Sequence, residues 1–457
     1  MSGSLKARGS MLVLAFAFAA VALFVVLHGA QNRAADAQDG PNLVNPTGEL
    51  AFNQPSGAMP RALGQTPSTK VFTSKNVERV GFLPFEDQPL GRPVNEVLPN
   101  APAEILTATG ANIQGDYLYL TSWKNISIYD ISDPLRPELT VTKPIGFQFE
   151  NENVATNGEI LLFSEELPGV PDTKLHVYDV SDKTKIEEIA TVEGAGDHTT
   201  TCILGCTWAY GSDGSITDLR DPNNPVLQDE NWHELTGLNE DGAHDVNEFK
   251  NGFLVTSPIS DDMQYLDVRD PLNPKVLARG KHPDPEAFLF HSGTWPRQGA
   301  DKFLLMQGER NFRPRCNEDQ GPFMTYDASR AARTGEFKLI DTYRVENGNY
   351  VDGSPAINAL GCSAHWFEVH PTWNNGGLVA LAYYEHGTHF LNVNKKGRIE
   401  RKGYFLPAAG STSAAYWVTR DVVYAVDYTR GIDILRFTGP GTGGKLTSAN
   451  DRGTGRG

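Results

Sequence analysis

The sequence predicts an all-β protein, a seven-bladed β-propeller that follows an N-terminal export segment and a linker. Three observations predict this organisation: a strand-and-turn unit that recurs along the chain, a high glycine and proline content, and one apolar run near the N-terminus. The 457 residues include 45 Gly and 29 Pro, and such a high turn content favours many short strands over long helices. Hydrophobic residues make up 39 % of the chain, which is enough for a large core.

The N-terminus has the layout of an export signal. Lys6 and Arg8 precede an unbroken apolar run from Met11 to Leu27, and Ala35-Asp36-Ala37 fits a small-x-small cleavage site. The apolar run is at the short end of what spans a bilayer. Residues 1–37 are therefore predicted to be either a cleaved signal peptide or a signal anchor. In both cases the protein is exported, secreted or anchored on the outer face of the cytoplasmic membrane, with membrane contact only through this segment.

Composition sets the remaining boundaries. Residues 38–100 are rich in Pro, Gly, Asn and Gln and predict a linker or stalk, packed in places. Residues 438–457 are rich in Gly, Thr and Ser and predict a flexible tail. The propeller is thus expected between residues 101 and 437.

The recurring unit is a strand in which an acidic or amide residue stands among apolar ones. Successive copies are 39 to 65 residues apart, and a period in the forties with insertions is typical of a four-stranded propeller blade. Seven copies therefore predict seven blades, whose radial packing leaves only short, protected edges. The residues that anchor the copies are Asp130, Asp179, Asp218, Asp267, Asp327, Asn392 and Asp433.

A turn of sequence Asp-Pro-x-x-Pro follows three of these strands, at residues 133–137, 221–225 and 270–274. In such a turn Asp accepts hydrogen bonds from nearby backbone and Pro fixes φ near about −65°. A strand such as 138–141 follows the turn, and another such as 116–121 precedes the anchor strand, with β-branched and aromatic residues in alternation.

These strands and turns resemble those of the LVIVD-repeat family, and the resemblance covers about residues 105–437. It implies a β-propeller in an exported protein of a mostly uncharacterised family. Together with the predicted stalk it favours a cell-surface or secreted binding module, whose partner is an unknown protein, glycan or small molecule.

Charge and motifs exclude other classes. The chain has 56 acidic and 40 basic residues, a net charge of −16, so we expect no nucleic-acid partner, because nothing would neutralise the phosphates. The sequence contains no P-loop, no Gly-x-Gly-x-x-Gly before a helix and no Gly-x-Ser-x-Gly, which predicts no nucleotide cofactor and no hydrolase elbow.

Four histidines occupy equivalent places, each some nine to thirteen residues before the next strand core: His198, His244, His291 and His365. Each should open the innermost strand of its blade, so the four rings should converge at the mouth of the channel. Counting back from Asn157-Gly158 puts Glu150 at the matching place. Such a set suits one transition metal, Zn, Cu, Fe or Mn.

This ring of histidines supports a second functional hypothesis, a metal-dependent enzyme whose ion activates water or binds substrate. The alternative is a structural hydrogen-bond network between the histidines and buried aspartates such as Asp245. The pair His386 and His389, in a strand context, is predicted to be structural.

An even number of cysteines in an exported chain predicts disulfides. Cys202 and Cys206 are close enough for a tight hairpin, which leaves Cys316 to pair with Cys362. A copper or zinc site at Cys202 and Cys206 is the alternative.

Three arginines stand close together in an insertion of this acidic protein, Arg310, Arg313 and Arg315. They are candidates for clamping a carboxylate or phosphate of a ligand, and a solvated loop is the alternative.

Overall fold

The computed structural model of the chain describes residues 71–84, 110–122, 125–145, 152–165, 173–310, 315–316, 320–345, 348–349, 362–407, 410–428 and 431–440. The predicted export segment 1–37 lies outside these ranges. None of the helices within them combines the length and the apolar character needed to cross a membrane.

Within these ranges the chain forms short strands, numbered in chain order, and three short helices. The first strands are β1 (Val71–Thr73) and β2 (Val77–Pro84). Sheet 1 contains β3 (Gly110–Gln114), β4 (Tyr117–Thr121), β5 (Asn125–Asp130) and β6 (Glu138–Pro144); sheet 2 contains β7 (Ile160–Ser164), β8 (Lys174–Asp179) and β9 (Glu187–Glu193); sheet 3 contains β10 (Thr200–Ile203), β11 (Trp208–Gly211), β12 (Ile216–Asp218) and β13 (Val226–Leu227); sheet 4 contains β14 (Ala243–Lys250), β15 (Phe253–Pro258), β16 (Met263–Asp267) and β17 (Lys275–Gly280).

The second half of the chain continues in the same way. Sheet 5 contains β18 (Leu289–Thr294), β19 (Phe303–Glu309), β21 (Phe323–Asp327) and β22 (Glu336–Tyr343), and the separate pair β20 (Arg315–Cys316) and β23 (Gly348–Asn349) is inserted into it; sheet 6 contains β24 (Phe367–Val369), β25 (Gly377–Ala382), β26 (Thr388–Val393) and β27 (Ile399–Pro407); sheet 7 contains β28 (Thr412–Trp417), β29 (Val422–Asp427) and β30 (Gly431–Phe437). The helices are α1 (Trp232–Thr236), α2 (Pro296–Gly299) and α3 (Ala331–Thr334). Consecutive strands within each of the seven sheets are antiparallel, and a short parallel ladder also joins β17 to β22.

Apolar side chains fill the space between each sheet and the next, and each of these spaces contains its own buried cluster. The last cluster joins sheet 7 back to sheet 1, with Tyr424 and Ile434 packed against Ile113 and Leu118. Because fully burying a large apolar side chain contributes about 1.5–3 kcal/mol, these interfaces hold the sheets in a closed circle.

The first strands of sheet 1 and of sheets 3 to 7 lie at the centre of this circle, and in sheet 2 the stretch before β7 takes this place. First strands of neighbouring sheets contact one another, as β10 contacts β14, β14 contacts β18, and β28 contacts β3 across the closure. Antiparallel sheets arranged radially around their first strands form a β-propeller. The structure therefore confirms the predicted all-β propeller class.

The repeated aspartates have the local role that the sequence predicts. Five of the anchor aspartates end a strand and accept a hydrogen bond from the backbone N–H two residues later. This strand is the third of its sheet in four cases, and for Asp179 it is β8, the second strand of sheet 2. The Oδ1 atoms of Asp130, Asp179, Asp218, Asp267 and Asp327 accept at 2.7, 2.9, 3.0, 3.1 and 2.9 Å. This Asx turn bends the chain toward the next strand, which is the last of its sheet.

Two strands lie inside the predicted linker 38–100. β1 pairs with the outer edge of β27 in sheet 6, and β2 pairs with β30 as the outermost strand of sheet 7. Arg79 of β2 also reaches Asp433 of β30, with Nε 2.6 Å from Oδ1. The N-terminal and C-terminal strands thus close the ring together.

Candidate metal centre

The four predicted histidines lie around the axis of the propeller. His244 is in β14 and His291 in β18, while His198 and His365 stand two residues before β10 and β24. Neighbouring rings touch, with centroid distances of 4.7 Å from His198 to His244, 4.0 Å from His244 to His291, and 4.2 Å from His291 to His365. The equivalent sequence positions therefore converge, as the spacing predicts.

Glu152 places its carboxylate at the centre of these rings. It precedes sheet 2 and is 3 % exposed. Its Oε2 lies 3.0 Å from His291 Nε2 and 3.9 Å from His198 Nε2, and its Oε1 lies 3.1 Å from His365 Nε2. The histidines come from three different sheets, so this carboxylate joins sheets that are far apart in sequence.

Two aromatic side chains hold the same carboxylate in place. Trp366 Nε1 donates to Glu152 Oε2 at 3.1 Å, and Tyr428 OH donates to Oε1 at 2.9 Å. The backbone of Glu152 is equally confined, because a Cβ on Gly110 would lie 1.8 Å from the Glu152 carbonyl oxygen. Only glycine at position 110 therefore permits this approach.

A second carboxylate, Glu309, faces the cluster from the end of β19. Its Oε2 lies 3.7 Å from His291 Nε2, and its Oε1 accepts a hydrogen bond from Tyr384 OH. Tyr384 is buried with φ of 37°, a conformation that costs a non-glycine residue about 1 kcal/mol or more, and its ring stacks on His365 at 4.5 Å. Sequence reasoning missed Glu309, because this residue does not belong to the first strand of its sheet.

Burial and electrostatic attraction determine which groups of the cluster are charged and which are neutral. Burial lowers the pKa of His244 and of His291, so both rings are held neutral. Burial also opposes the charged forms of Glu152 and His365, but their attraction is stronger. The pKa of Glu152 is therefore held well below its usual range, and the pKa of His365 is raised.

The hydrogen bonds leave ring nitrogens available to a cation. His365 Nδ1 lies 2.5 Å from the carbonyl oxygen of Ser413, so this nitrogen donates and Nε2 faces the cluster with its lone pair in the neutral ring. Among the described residues, the Nδ1 atoms of His244 and His291 have no hydrogen-bond partner. Buried unpaired nitrogens cost free energy unless a ligand satisfies them.

The distances suit metal ligation. Ligand atoms about 2.1 Å from one ion lie about 3.0–3.5 Å from each other in octahedral or tetrahedral geometry, close to the separations around Glu152. Two overlapping sets of side chains bring one ligand atom each within 4.8 Å of one another: Glu152 with His244 and His291, and Glu309 with His291 and His365. Imidazole and carboxylate together suit Zn, Cu, Fe or Mn.

The other predicted site residues are only partly described by the structure. Glu150 lies outside the described residues, as does Arg313, and Arg315 is described only as part of β20. Arg310 Nη1 donates to the backbone carbonyls of Glu286 at 2.7 Å and Ala287 at 2.5 Å. That nitrogen is therefore used within the fold, and the clamp by Arg310, Arg313 and Arg315 stays a prediction.

The structure confirms the predicted disulfide between Cys202 and Cys206. Cys202 and Cys206 form a disulfide across the hairpin from β10 to β11, which excludes a metal site on these two thiols. Cys362 is also disulfide-bonded, and the side chain of Cys316 lies outside the described residues. His386 Nδ1 lies 3.0 Å from His389 Nε2, and both rings are buried.

Comparison with known proteins finds similarity among solved structures. No family model matches the chain, so the resemblance to the LVIVD-repeat family stays a prediction, and no curated protein matches it in sequence. Among solved structures, the chain is similar to the β-propeller domain of Cps50 (Swd1) from Myceliophteria thermophila. The identity is 14 %, the match covers 72 % of this chain and 96 % of that chain, and the TM-score is 0.47.

Proposed function

We propose that this chain is an exported, seven-bladed β-propeller metalloenzyme that holds one divalent transition-metal ion on its axis. The observation that carries the proposal is Glu152, a buried carboxylate within 3.0–3.9 Å of the Nε2 atoms of three histidines from three sheets. Glu152, His244, His291 and His365 are the proposed ligands, and the ion is Zn, Cu, Fe or Mn.

Charge balance supports a divalent ion. Glu152 and Glu309 bring two carboxylates into a buried space in which burial keeps His244 and His291 neutral. Burying unbalanced charge is costly. When His365 binds the ion as a neutral ligand, a divalent cation balances both carboxylates at once and replaces the positive charge that the raised pKa of His365 otherwise supplies.

His198 supports an enzyme rather than a purely structural ion. Its Nε2 is 3.9 Å from Glu152, farther than the other two ring nitrogens, and its side chain is 12 % exposed while those of His291 and His365 are 0 % exposed. The His198 side is therefore where water or substrate would reach the ion. A site with protein ligands plus one exchangeable position is typical of catalytic metal centres.

Export and blade number are part of the same proposal. The Cys202–Cys206 disulfide favours an oxidising compartment, in keeping with the predicted signal at residues 1–37. The radial order of sheets 1 to 7 supports seven blades. The sequence also favours a binding module without a metal. Such a module would not account for a charged cluster on the axis.

Elemental analysis tests the proposal. The exported chain is purified from an oxidising compartment without chelator or affinity histidines, together with Glu152→Gln and His176→Gln. His176 is a matched control, because it also stands between two carboxylates, Glu165 at 3.1 Å and Glu188 at 3.3 Å, but lies off the axis in β8. We expect about one equivalent of metal in the wild type and in His176→Gln, and its loss in Glu152→Gln. A folded wild type without metal contradicts the proposal.

A further inference from the structure

A belt of buried polar side chains lies beside the metal cluster, formed by Asn153, Thr201, Asp245 and Asn247. Asp245 is its hub and is 1 % exposed. Its Oδ1 accepts hydrogen bonds from Asn153 Nδ2 at 3.2 Å and Thr201 Oγ1 at 3.1 Å, and its Oδ2 accepts from Asn247 Nδ2 at 2.7 Å. The sequence offered Asp245 as a structural partner of the histidines, but its described hydrogen bonds go to this belt.

The residues of the belt are close neighbours in sequence of the residues that form the metal cluster. Asn153 directly follows Glu152, and Asp245 directly follows His244. Thr201 lies three residues after His198 and also bonds Asn153 Nδ2 at 2.7 Å. At the far end, Asn247 Oδ1 accepts from the backbone N–H of Gly293, two residues after His291, at 3.1 Å. Each side chain of the belt therefore fixes backbone that also bears a proposed ligand or His198.

The segment that bears Glu152 lacks the support of regular secondary structure. This segment is not a regular strand, since only an isolated bridge joins Thr156 to Leu161 before β7. On one side Gly110 permits close approach of the Glu152 carbonyl. On the other side, Asn153 Nδ2 donates a hydrogen bond to Asp245 in sheet 4.

We propose that Asp245 is a positioning residue that sets the place of Glu152 among the histidines through Asn153, and thereby tunes the affinity and geometry of the metal site. This inference rests on the proposed metal centre. Partners beyond the ligands orient them, and their loss costs about 10–100-fold in metal affinity.

The polarity of the hydrogen bonds supplies a sharp test. Both amide partners of Asp245, Asn153 and Asn247, donate to it, so Asp245→Asn must turn its own NH₂ toward one of these donors. The double variant Asn153→Asp with Asp245→Asn exchanges the two groups across the same hydrogen bond. Asn at 245 then donates to Asp at 153 and still accepts from Asn247.

The measurements are metal affinity by competition with a chelator and the visible absorption spectrum of the Co²⁺-loaded full chain. We expect Asp245→Asn to bind Co²⁺ at least about tenfold more weakly with a changed spectrum, and the double variant to recover both. Asp433→Asn is the matched control, because Asp433 is also 1 % exposed but lies at the ring closure. It should lower thermal stability and leave affinity and spectrum unchanged.

The outcomes separate the two proposals. A folded Asp245→Asn with wild-type affinity and spectrum overturns the positioning role, as does a folded double variant that recovers neither. If Asp245→Asn does not fold, Asn153→Ala removes the same hydrogen bond without touching the hub, and unchanged affinity there overturns the role equally. A wild type that binds no Co²⁺ overturns the metal centre itself.

Discussion

The phenol of Tyr424 donates a hydrogen bond of 2.8 Å to the carbonyl oxygen of Pro134, although 290 residues separate the two. Tyr210 makes the equivalent bond to Pro271 at 2.6 Å. In both cases a tyrosine on the second strand of one sheet reaches the Asp-Pro turn of the next. Sheet 7 thus packs on sheet 1 as sheet 3 packs on sheet 4, which makes the closure of the ring a regular interface.

The ion pair between Arg79 and Asp433 provides the first prediction. The Asp433 side chain is 1 % exposed and that of Arg79 20 %. Arg79→Ala removes the cation beside a buried carboxylate, a loss that costs about 3 kcal/mol or more. We expect a corresponding fall in the free energy of unfolding, measured by urea denaturation.

Lys174→Ala is the control for this variant, because Lys174 and Glu193 form an exposed pair with side chains 37 % and 70 % exposed. Exposed pairs contribute about 0–1 kcal/mol. Equal losses in the two variants would show that β2 does not help to close the ring.

The approach of Gly110 to Glu152 gives the second prediction. A Cβ at position 110 would lie 1.8 Å from the Glu152 carbonyl oxygen, so Gly110→Ala must push this backbone away. Because Glu152 is the central ligand of the proposed site, we expect loss of bound metal, measured by elemental analysis.

Gly115 offers a control, because it lies in the turn between β3, which contains Gly110, and β4. It has φ of 60° and nothing within 4 Å of its Cβ position, so Gly115→Ala costs about 1 kcal/mol of stability through backbone strain alone. It should retain the metal. Metal retained at wild-type affinity in Gly110→Ala would argue against Glu152 as a ligand.

Sequence reasoning located the repeated strands because each one carries its own signal, an alternating pattern that ends in an Asx turn at residues such as Asp130 and Asp267. It also located the four histidines, since regular first strands keep a constant spacing. The same spacing predicted Glu150 as the carboxylate at the axis, whereas the structure places Glu152 there. The stretch before β7 forms only an isolated bridge, so strand counting does not apply there.

Other parts of the structure depended on contacts far apart in sequence. Glu309 approaches His291 from the end of a second strand, outside the repeated pattern. β2 lies in a segment rich in Pro and Gly, and its partner β30 is some 350 residues away. No local pattern could predict either contact, although the alternating Val77 to Leu83 is compatible with a strand.

The Cys202–Cys206 disulfide gives the third prediction. It closes a loop of only a few residues, in which Leu204, Gly205 and Cys206 all have positive φ. Cross-links of such short loops stabilise by about 2 kcal/mol through the entropy of the unfolded chain. We expect Cys202→Ser with Cys206→Ser to lower the free energy of unfolding by about that amount. Metal content should not change, and its loss would contradict a purely structural role for this disulfide.

Asp213, in the turn between β11 and β12, gives a pH-dependent prediction. Burial raises its pKa to about 6, although its Oδ1 accepts a hydrogen bond from the backbone of Ser215 at 2.9 Å. In the unfolded chain the pKa of Asp is about 3.9. Between about pH 4 and pH 6 the folded state therefore holds more of this proton, and the contribution of Asp213 to stability falls as pH rises.

Asp213→Asn removes this dependence. Relative to the wild type, the free energy of unfolding of Asp213→Asn should rise from pH 4 to pH 6 and stay constant above, as measured by urea denaturation at several pH values. Asp221→Asn is the control, because hydrogen bonds from Asn224 and Asn223 lower the pKa of Asp221, so its titration falls below this window. If the curves of Asp213→Asn and the wild type run parallel from pH 4 to pH 6, Asp213 is not held protonated by the fold.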